Sequence, residues 1–445
     1  MIIKYDKITD KEKISENESE IQESTREELG IMAVFRSFKA LRPAADKARA
    51  VAALPYDVVN REEARAIGEK NPLSFLHVDR PEMDLEPSID LYDERVYAKA
   101  RENLDNLEKE GILVQDEKPC YYIYEQVRKG RTQTGIVGCS SIDDYMNGVV
   151  KKHELTREDK EQDRIRHVDS CNANTGPIFL ACRYPQSLLD LMEDWKKSHP
   201  AACDFTEEDE ITHRVWVIDD AEVIGKIHEE FAGIDSLYIA DGHHRAASAV
   251  KVGLKRREQN PGYTGEEEFN YFLSVVFPYD QLCILPYNRV VHDLNGLTVK
   301  AFLAALKFNF ELMLMPGFPC KPVEKHCMGM YVDGQWYHLK AWPDVYEGKD
   351  VVTQLDVSIL QDKVLNPILG IQDPRTDQRI SFVGGSHKAA ELAQMADKTG
   401  GVAFVMYPTS MEDLMKIADE SRLMPPKSTW FEPKLRSGLF IHKLY

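Results

Sequence analysis

The chain has 445 residues, 43% of them apolar and 29% charged, which is enough for two or three packed domains and too hydrophobic for global disorder. Asp and Glu outnumber Lys and Arg by 74 to 56, so the net charge is −18 and most of the surface repels nucleic acid and anionic lipid. No run approaches 18 consecutive apolar residues, no charged-then-apolar leader opens the chain and none of the eight cysteines forms a Cys-x-x-Cys pair, so the expectation is a cytoplasmic protein with reduced thiols, without a membrane or nucleic acid as partner.

Residues 1–31 are crowded with Glu and nearly free of aromatic side chains, and read as a disordered acidic leader. An apolar, strand-like run opens at Met32. It is followed by helical periodicity across Glu62–Lys70 and Asp90–Glu110, the second helix closing at Gly111. Tyr121–Val127 and Thr132–Gly138 flank Lys129-Gly130 as the arms of a hairpin. Thr156 and Asp159 have capping-box spacing, which predicts a helix from Arg157 to about Cys171 with Arg157 and Arg164 on one face. Strands are expected at Pro177–Arg183 and His213–Ile218, and helices at Ser187–Lys197 and Ala221–Phe231.

Ser236–Ala240 reads as a strand running into Asp241-Gly242-His243-His244-Arg245 and a helix to about Lys255, with residues 256–268 as a charged loop. Residues 297–350 suggest a small inserted lobe, with a hairpin turning at Asp333-Gly334. The remainder alternates strand and helix through Ile380–Val383, Val402–Tyr407 and Ser410–Ser421. Strands interleaved with helices give a mixed α/β (α+β) class. The expected segments are a 32–235 α/β region, a 236–296 strand-turn-helix region, the 297–350 lobe and a 351–445 α/β region.

Three stretches concentrate reactive side chains. At Asp241–Arg245 a strand turns sharply into a helix at a glycine, which gathers backbone N–H groups and the positive end of a helix dipole. Arg245 adds a planar cation suited to phosphate, and His243 and His244 add donors or acid/base groups. Asp241 suits a helix cap, a magnesium ligand or a partner that fixes a histidine tautomer. A capped helix with surface histidines fits the same residues.

The second stretch is Lys151-Lys152-His153-Glu154, where a carboxylate ahead of a helix suits a general base and the basic neighbours suit an anion. A solvated loop is the alternative. His153-Glu154 lacks a second His at zincin spacing. The third stretch is Pro425-Pro426-Lys427-Ser428-Thr429, read as an extended segment ending in a cation and two hydroxyls, either for an oxyanion or as a packed C-terminal strand. Gly384-Gly385-Ser386 is a weaker anion cradle. Walker A, Gly-x-Gly-x-x-Gly and Gly-x-Ser-x-Gly patterns are absent.

Together, Ala33–Pro43, Pro55-Tyr56-Asp57, His153-Glu154, Asp241–Arg245, Ile284–Pro286, Leu355-Asp356-Val357 and Met424–Thr429 resemble a bacterial family catalogued as domain of unknown function 1015, over roughly residues 32 to 445. The Asp-Gly-His-His-Arg element is similar to one in free-serine kinases of the ParB/sulfiredoxin-like superfamily, which phosphorylate the hydroxyl of free L-serine with ADP or ATP. The resemblance implies a ParB/sulfiredoxin-like core elaborated with extra α/β segments. It further implies a nucleotide (ATP or ADP) with Mg²⁺ as cofactors, and a small-molecule substrate. Carried over, Glu154 is the base, with His244 and Asp241 as its catalytic companions. Gly242, His243, His244 and Arg245 hold the nucleotide, and Asp241 holds the metal. His153, Arg164, Lys427, Ser428 and Thr429 are the substrate-binding candidates. A homo-oligomer is compatible with this reading. A ParB-like nucleotide-dependent regulator of a protein partner is the alternative, distinguished by nucleotide hydrolysis without an amino-acid acceptor.

Overall fold

The computed structural model describes residues 32–445, so the expected leader at 1–31 lies outside the described residues. The chain forms two compact units. Of the described residues, the first takes 32–151, Thr156–Tyr279 and Leu435–Tyr445; the second takes Lys152–Leu155 and Asp280–Lys434.

The first unit is built on a nine-stranded sheet. Its strands are β1 (Phe35–Arg36), β2 (Tyr121–Arg128), β3 (Arg131–Ser141), β4 (Val150–Lys151), β5 (Ile178–Cys182), β6 (Cys203–Thr206), β7 (Thr212–Ile218), β8 (Leu237–Asp241) and β9 (Tyr271–Pro278). The order is β4-β8-β5-β9-β3-β2-β7-β6, with β1 added beside β3. The β4–β8 and β5–β9 pairs are parallel and the others antiparallel. The β2–β3 hairpin turns at Lys129 and Gly130, both at positive φ, the backbone that a two-residue hairpin matching the sheet twist requires.

Six longer helices accompany this sheet: α1 (Arg61–Lys70), α2 (Glu94–Lys109), α3 (Glu158–Cys171), α4 (Gln186–Ser198), α5 (Ala221–Phe231) and α6 (His243–Gln259). Leu188, Trp195, Ile227 and Phe231 from α4 and α5 join Leu180, Ile239 and Phe272 of the strands in one apolar core. Burying such side chains contributes roughly 1.5–3 kcal/mol each. α3 and α6 lie together through the Ser248 hydroxyl, which donates to the Glu161 carbonyl at 3.1 Å, and through the Lys255–Asp169 pair at 2.6 Å.

The second unit carries a six-stranded sheet of β10 (Tyr287–Val291), β11 (Phe310–Met315), β12 (Cys327–Val332), β13 (Gln335–Ala341), β14 (Ile380–Gly384) and β15 (Val402–Val405). Every pair is antiparallel, in the order β11-β13-β12-β15-β10-β14. Its helices include α7 (Val299–Leu306), α8 (Ala389–Thr399) and α9 (Met411–Asp419). Leu392 and Ala396 of α8 pack on Val290, Tyr331 and Ala403.

The mixed α/β class is observed, but the expected segment boundaries are not. Strands from 297–350 interleave with β10, β14 and β15 in one sheet, so there is no separate inserted lobe. The expected border at 236 falls inside the first unit, where β8 is flanked by β4 and β5. Residues 435–445 return to the first unit, where His442-Lys443 pairs with Ala173-Asn174. Local periodicity carries no information on such long-range pairings.

Two local expectations are also corrected. α6 runs on to Gln259, because Arg256 and Arg257 pair with Asp169 and Asp143 rather than fraying into a loop. Gly384 and Gly385 serve close packing rather than an anion: a Cβ at either would approach the Trp430 ring at 2.8 Å or the Pro286 carbonyl at 2.5 Å. The eight cysteines are free thiols. No described helix is long and apolar enough to cross a membrane.

Candidate functional site

The Asp241–Arg245 turn is made by two backbone features. The β8–β5 register shifts between Ile239 and Asp241, which bends the end of β8. Gly242 then takes φ +96°, a left-handed conformation that only glycine adopts without strain, and becomes the N-cap of α6. The first N–H groups of a 17-residue helix therefore stand outside the helical ladder at one point, with the positive end of the dipole behind them.

Arg245 folds back over this turn. Its Nη2 donates to Asp241 Oδ2 at 3.3 Å and its Nη1 to the Pro177 carbonyl, and the side chain is mostly buried. His243 is buried as well. His244 Nε2 accepts the backbone N–H of Arg157 at 2.9 Å, and the His244 carbonyl accepts the Ser248 hydroxyl at 2.7 Å. The neutral imidazole consistent with that acceptor carries its proton on Nδ1.

Arg164 lies on α3 and lines the same small cavity as Arg245, together with Tyr56, Asp79, Thr175 and Gly176. Its guanidinium pairs with Asp163 at 2.9 Å and stacks over the Tyr56 ring at 4.1 Å. Asp163 also accepts the Tyr97 hydroxyl at 2.9 Å. Burial pushes the Tyr56 phenol well up, so it stays neutral. Burial, and then the Arg164 guanidinium, push His167 down to about 4, and its neutral ring donates Nε2–H to the Val78 carbonyl at 2.9 Å. Thr175 donates to Asp79 at 2.8 Å. Arg164 and Arg245 thus line one cavity, and Arg245 belongs to the glycine-led first turn of α6. The Pro55-Tyr56-Asp57 motif supplies the ring that sets one of them, a role the sequence pattern did not indicate.

The expectation that Arg157 and Arg164 share a helix face is corrected. α3 begins at Glu158, and Arg157 is an exposed N-cap paired with Asp159, whereas Arg164 is buried. The Thr156–Asp159 capping box is absent because the Thr156 hydroxyl donates to Glu161 at 2.7 Å. Glu161 also pairs with Lys251 of α6, and the hydrogen bonds from Lys251 and Thr156 outweigh burial and hold its carboxyl below the usual range.

The Asp241 carboxylate, expected as a metal ligand, accepts from Arg245 Nη2 at 3.3 Å.

His153, Glu154, Lys427, Ser428 and Thr429 belong to the second unit. The His153 carbonyl accepts the N–H of Met424 at 2.8 Å, so the His153-Glu154 segment and the Met424–Thr429 segment lie side by side. His153 is buried and Glu154 half-buried. The expected extended conformation at Pro425–Thr429 is corrected to a tight turn: Lys427 has φ +58°, and the Ser428 hydroxyl closes the turn by donating to the Pro425 carbonyl at 2.6 Å. Ser428 is buried, and its proton is committed to that bond. Lys427 is exposed, with Nζ 5.5 Å from the Tyr287 ring centroid. Arg289, which the sequence did not flag, donates to the Lys427 carbonyl at 3.1 Å and so holds this turn from the sheet.

The model of the family described as "Protein of unknown function (DUF1015)" matches residues 35–358. No curated protein matches the chain. Among solved structures, it is similar to a free serine kinase in complex with AMP, at 15% identity and TM-score 0.36 over 70% of this chain and 93% of that one. It is also similar to a conserved hypothetical protein from Pyrococcus furiosus, at 15% identity and TM-score 0.34 over 71% and 96%. A third is SbnI with a C-terminal truncation from Staphylococcus aureus, at 11% identity and TM-score 0.35 over 68% and 85%.

Proposed function

The chain belongs to the DUF1015 family, and on that premise we propose that it is a phosphotransferase: a small-molecule kinase that moves a phosphoryl group from ATP or ADP to the hydroxyl of free L-serine or a similar hydroxy amino acid. The observation that supports this reading is the glycine-led start of α6, with Arg245 folded over it and Arg164 lining the same cavity. Phosphoryl transfer asks for positioning and neutralisation of charge on the phosphoryl oxygens more than for strong base chemistry. Helix-terminal N–H groups and guanidinium forks supply both.

In this reading the backbone at Gly242 and His243 and the side chains of His244 and Arg245 address the nucleotide phosphates. Glu154 accepts the proton as the acceptor O–H bond breaks. The acceptor oxygen forms its bond to phosphorus, and the bond to the leaving nucleotide oxygen breaks. Arg164, Lys427, His153 and Thr429 are assigned to the substrate carboxylate and the transferred phosphate. Ser428 shapes the turn that presents Lys427. Asp241 orients Arg245.

The test is direct. The full chain is incubated with L-serine and either ADP or ATP as the magnesium salt, and O-phosphoserine is measured by mass spectrometry. Formation in wild type and its loss in Glu154→Ala with retained nucleotide binding is the expected result. Turnover that survives in Glu154→Ala removes the assignment of the base. Nucleotide loss without any phosphorylated acceptor replaces the kinase reading with a nucleotide-hydrolysing regulator.

A further inference from the structure

The second unit contains a polar cleft that none of the roles above uses. Lys325 and His326 precede β12, Asp356 opens the short helix Asp356–Leu360, Thr409 precedes α9, and Asp413 and Lys416 project from α9. These six residues line one cavity.

Its charges are not balanced pair by pair. Lys325 Nζ is bound by both oxygens of Asp413, at 2.8 and 2.6 Å. Asp413 is further fixed by its capping box with Ser410. Lys325 is therefore committed to Asp413. Asp356 remains, with its Oδ1 buried and without a hydrogen-bond partner. A buried carboxylate oxygen left without a donor carries a desolvation penalty. Burial pushes this carboxyl up to about 7, against the opposing effects of the His326 backbone N–H and Lys325.

The His326 ring stacks on Tyr346 with centroids 3.7 Å apart, and its backbone sits at φ +64°. A left-handed non-glycine residue persists only where its surroundings over-determine it. The His326 carbonyl accepts the Ala341 N–H at 2.9 Å, which ties that backbone to β13. Lys416 is exposed on α9 and lines the same cleft.

We propose that this cleft binds a free amino acid, whose ammonium group meets Asp356 and whose carboxylate meets Lys416. The inference does not rest on the kinase reading, because all of its residues lie in the second unit and none is assigned to phosphoryl transfer. An ammonium ligand supplies the donor that Asp356 Oδ1 lacks and favours the ionised carboxylate. Binding near pH 7 therefore releases protons from Asp356.

The test is calorimetric titration of the full chain, without nucleotide, against each of the twenty protein amino acids at millimolar concentration. The strongest binder is then repeated in two buffers of different ionisation enthalpy. At least one amino acid binds wild type with proton release. Asp356→Asn is isosteric and removes a buried charge, so it folds; it weakens binding at least tenfold and abolishes the proton release. Lys416→Ala weakens binding, the N-acetylated ligand does not bind, and Glu154→Gln binds as wild type does. Three results overturn the proposal: no amino acid binding to wild type, equal affinity in Asp356→Asn, or loss in Glu154→Gln with retention in Asp356→Asn. The last would place the ligand at the proposed acceptor site instead.

Discussion

The backbone N–H of Arg157 points at the ring of His244, 2.9 Å from Nε2. This bond ties the first residue ahead of α3 to the first turn of α6, and it makes His244 an acceptor there. His244→Ala removes the acceptor and leaves the Arg157 N–H to solvent. Acid/base and orienting side chains contribute typically about 10²–10⁴-fold to rate. O-phosphoserine formation should fall by at least about 100-fold in His244→Ala. Hydrogen exchange at the start of α3 should quicken, while the core strands β5 and β9 keep their protection. Unchanged exchange at Arg157 would separate the histidine from the helix start.

A Cβ at position 242 would meet Arg245 Cζ, Nε and Nη2 at 3.1 Å and would have to hold φ +96°. Both effects act at the turn proposed to hold phosphate. Gly242→Ala should cost about 1–2 kcal/mol in stability, the usual penalty for a left-handed non-glycine residue. It should also weaken ADP binding at least tenfold, or about 1.4 kcal/mol. Urea unfolding and calorimetric ADP titration measure the two effects separately. A Gly242→Ala protein that loses stability but binds ADP normally would show that the turn is structural.

What the sequence made legible follows physical locality. The β2–β3 hairpin, α5 and the β8–turn–α6 unit are encoded in short stretches: a Lys-Gly turn, 3.6-residue periodicity, and a glycine between strand and helix. Their residues were assigned nearly as observed. The sheet of the second unit was not legible, because β11, β12 and β13 join β10, β14 and β15 through pairings between distant segments. Arg157 was misplaced because Thr156 has two acceptors in reach, and Glu161 five residues on outcompetes Asp159. The turn at Lys427 was missed because two prolines predict extended backbone, whereas the Ser428 hydroxyl stabilises a left-handed residue between them and itself. Asp356 stands in a recognised motif, but the commitment of Lys325 to Asp413 rather than to Asp356 depends on where Lys325 points, which no linear pattern records.

Arg164 is buried between Asp163 and the face of Tyr56. Breaking a buried ion pair by removing one partner leaves an uncompensated charge, at about 3–5 kcal/mol. Arg164→Met should destabilise the first unit by that order, since Asp163 would keep only the Tyr97 hydroxyl. Asp163→Asn combined with Arg164→Met should recover most of the loss. A double-mutant cycle in urea measures the coupling. Additive effects of the two substitutions would mean that the pair is solvated in practice and that Arg164 is available to a ligand at little structural expense.

Two buried groups give pH dependences of opposite sign. Asp356 is raised from 3.8 to about 7 in the fold, chiefly by burial. The folded state therefore holds more protons than the unfolded state between about pH 4 and 7, and this contribution to stability declines as pH rises. His167 is lowered from 6.5 to about 4, by burial and by Arg164. Here the unfolded state holds more protons, so stability is present above about pH 6.5 and is lost as pH falls towards 4. At 1.36 kcal/mol per unit the two effects are about 4 and about 3 kcal/mol, so in wild type they nearly cancel across this window. Asp356→Asn removes only the first. Its stability should exceed that of wild type above pH 7 and should fall more steeply on acidification, by about 3 kcal/mol between pH 6.5 and 4. Urea midpoints at half-unit pH steps for both proteins read this directly. Parallel profiles would mean that the Asp356 carboxyl titrates in its ordinary range, and the buried, donor-less oxygen would then have to be satisfied by solvent.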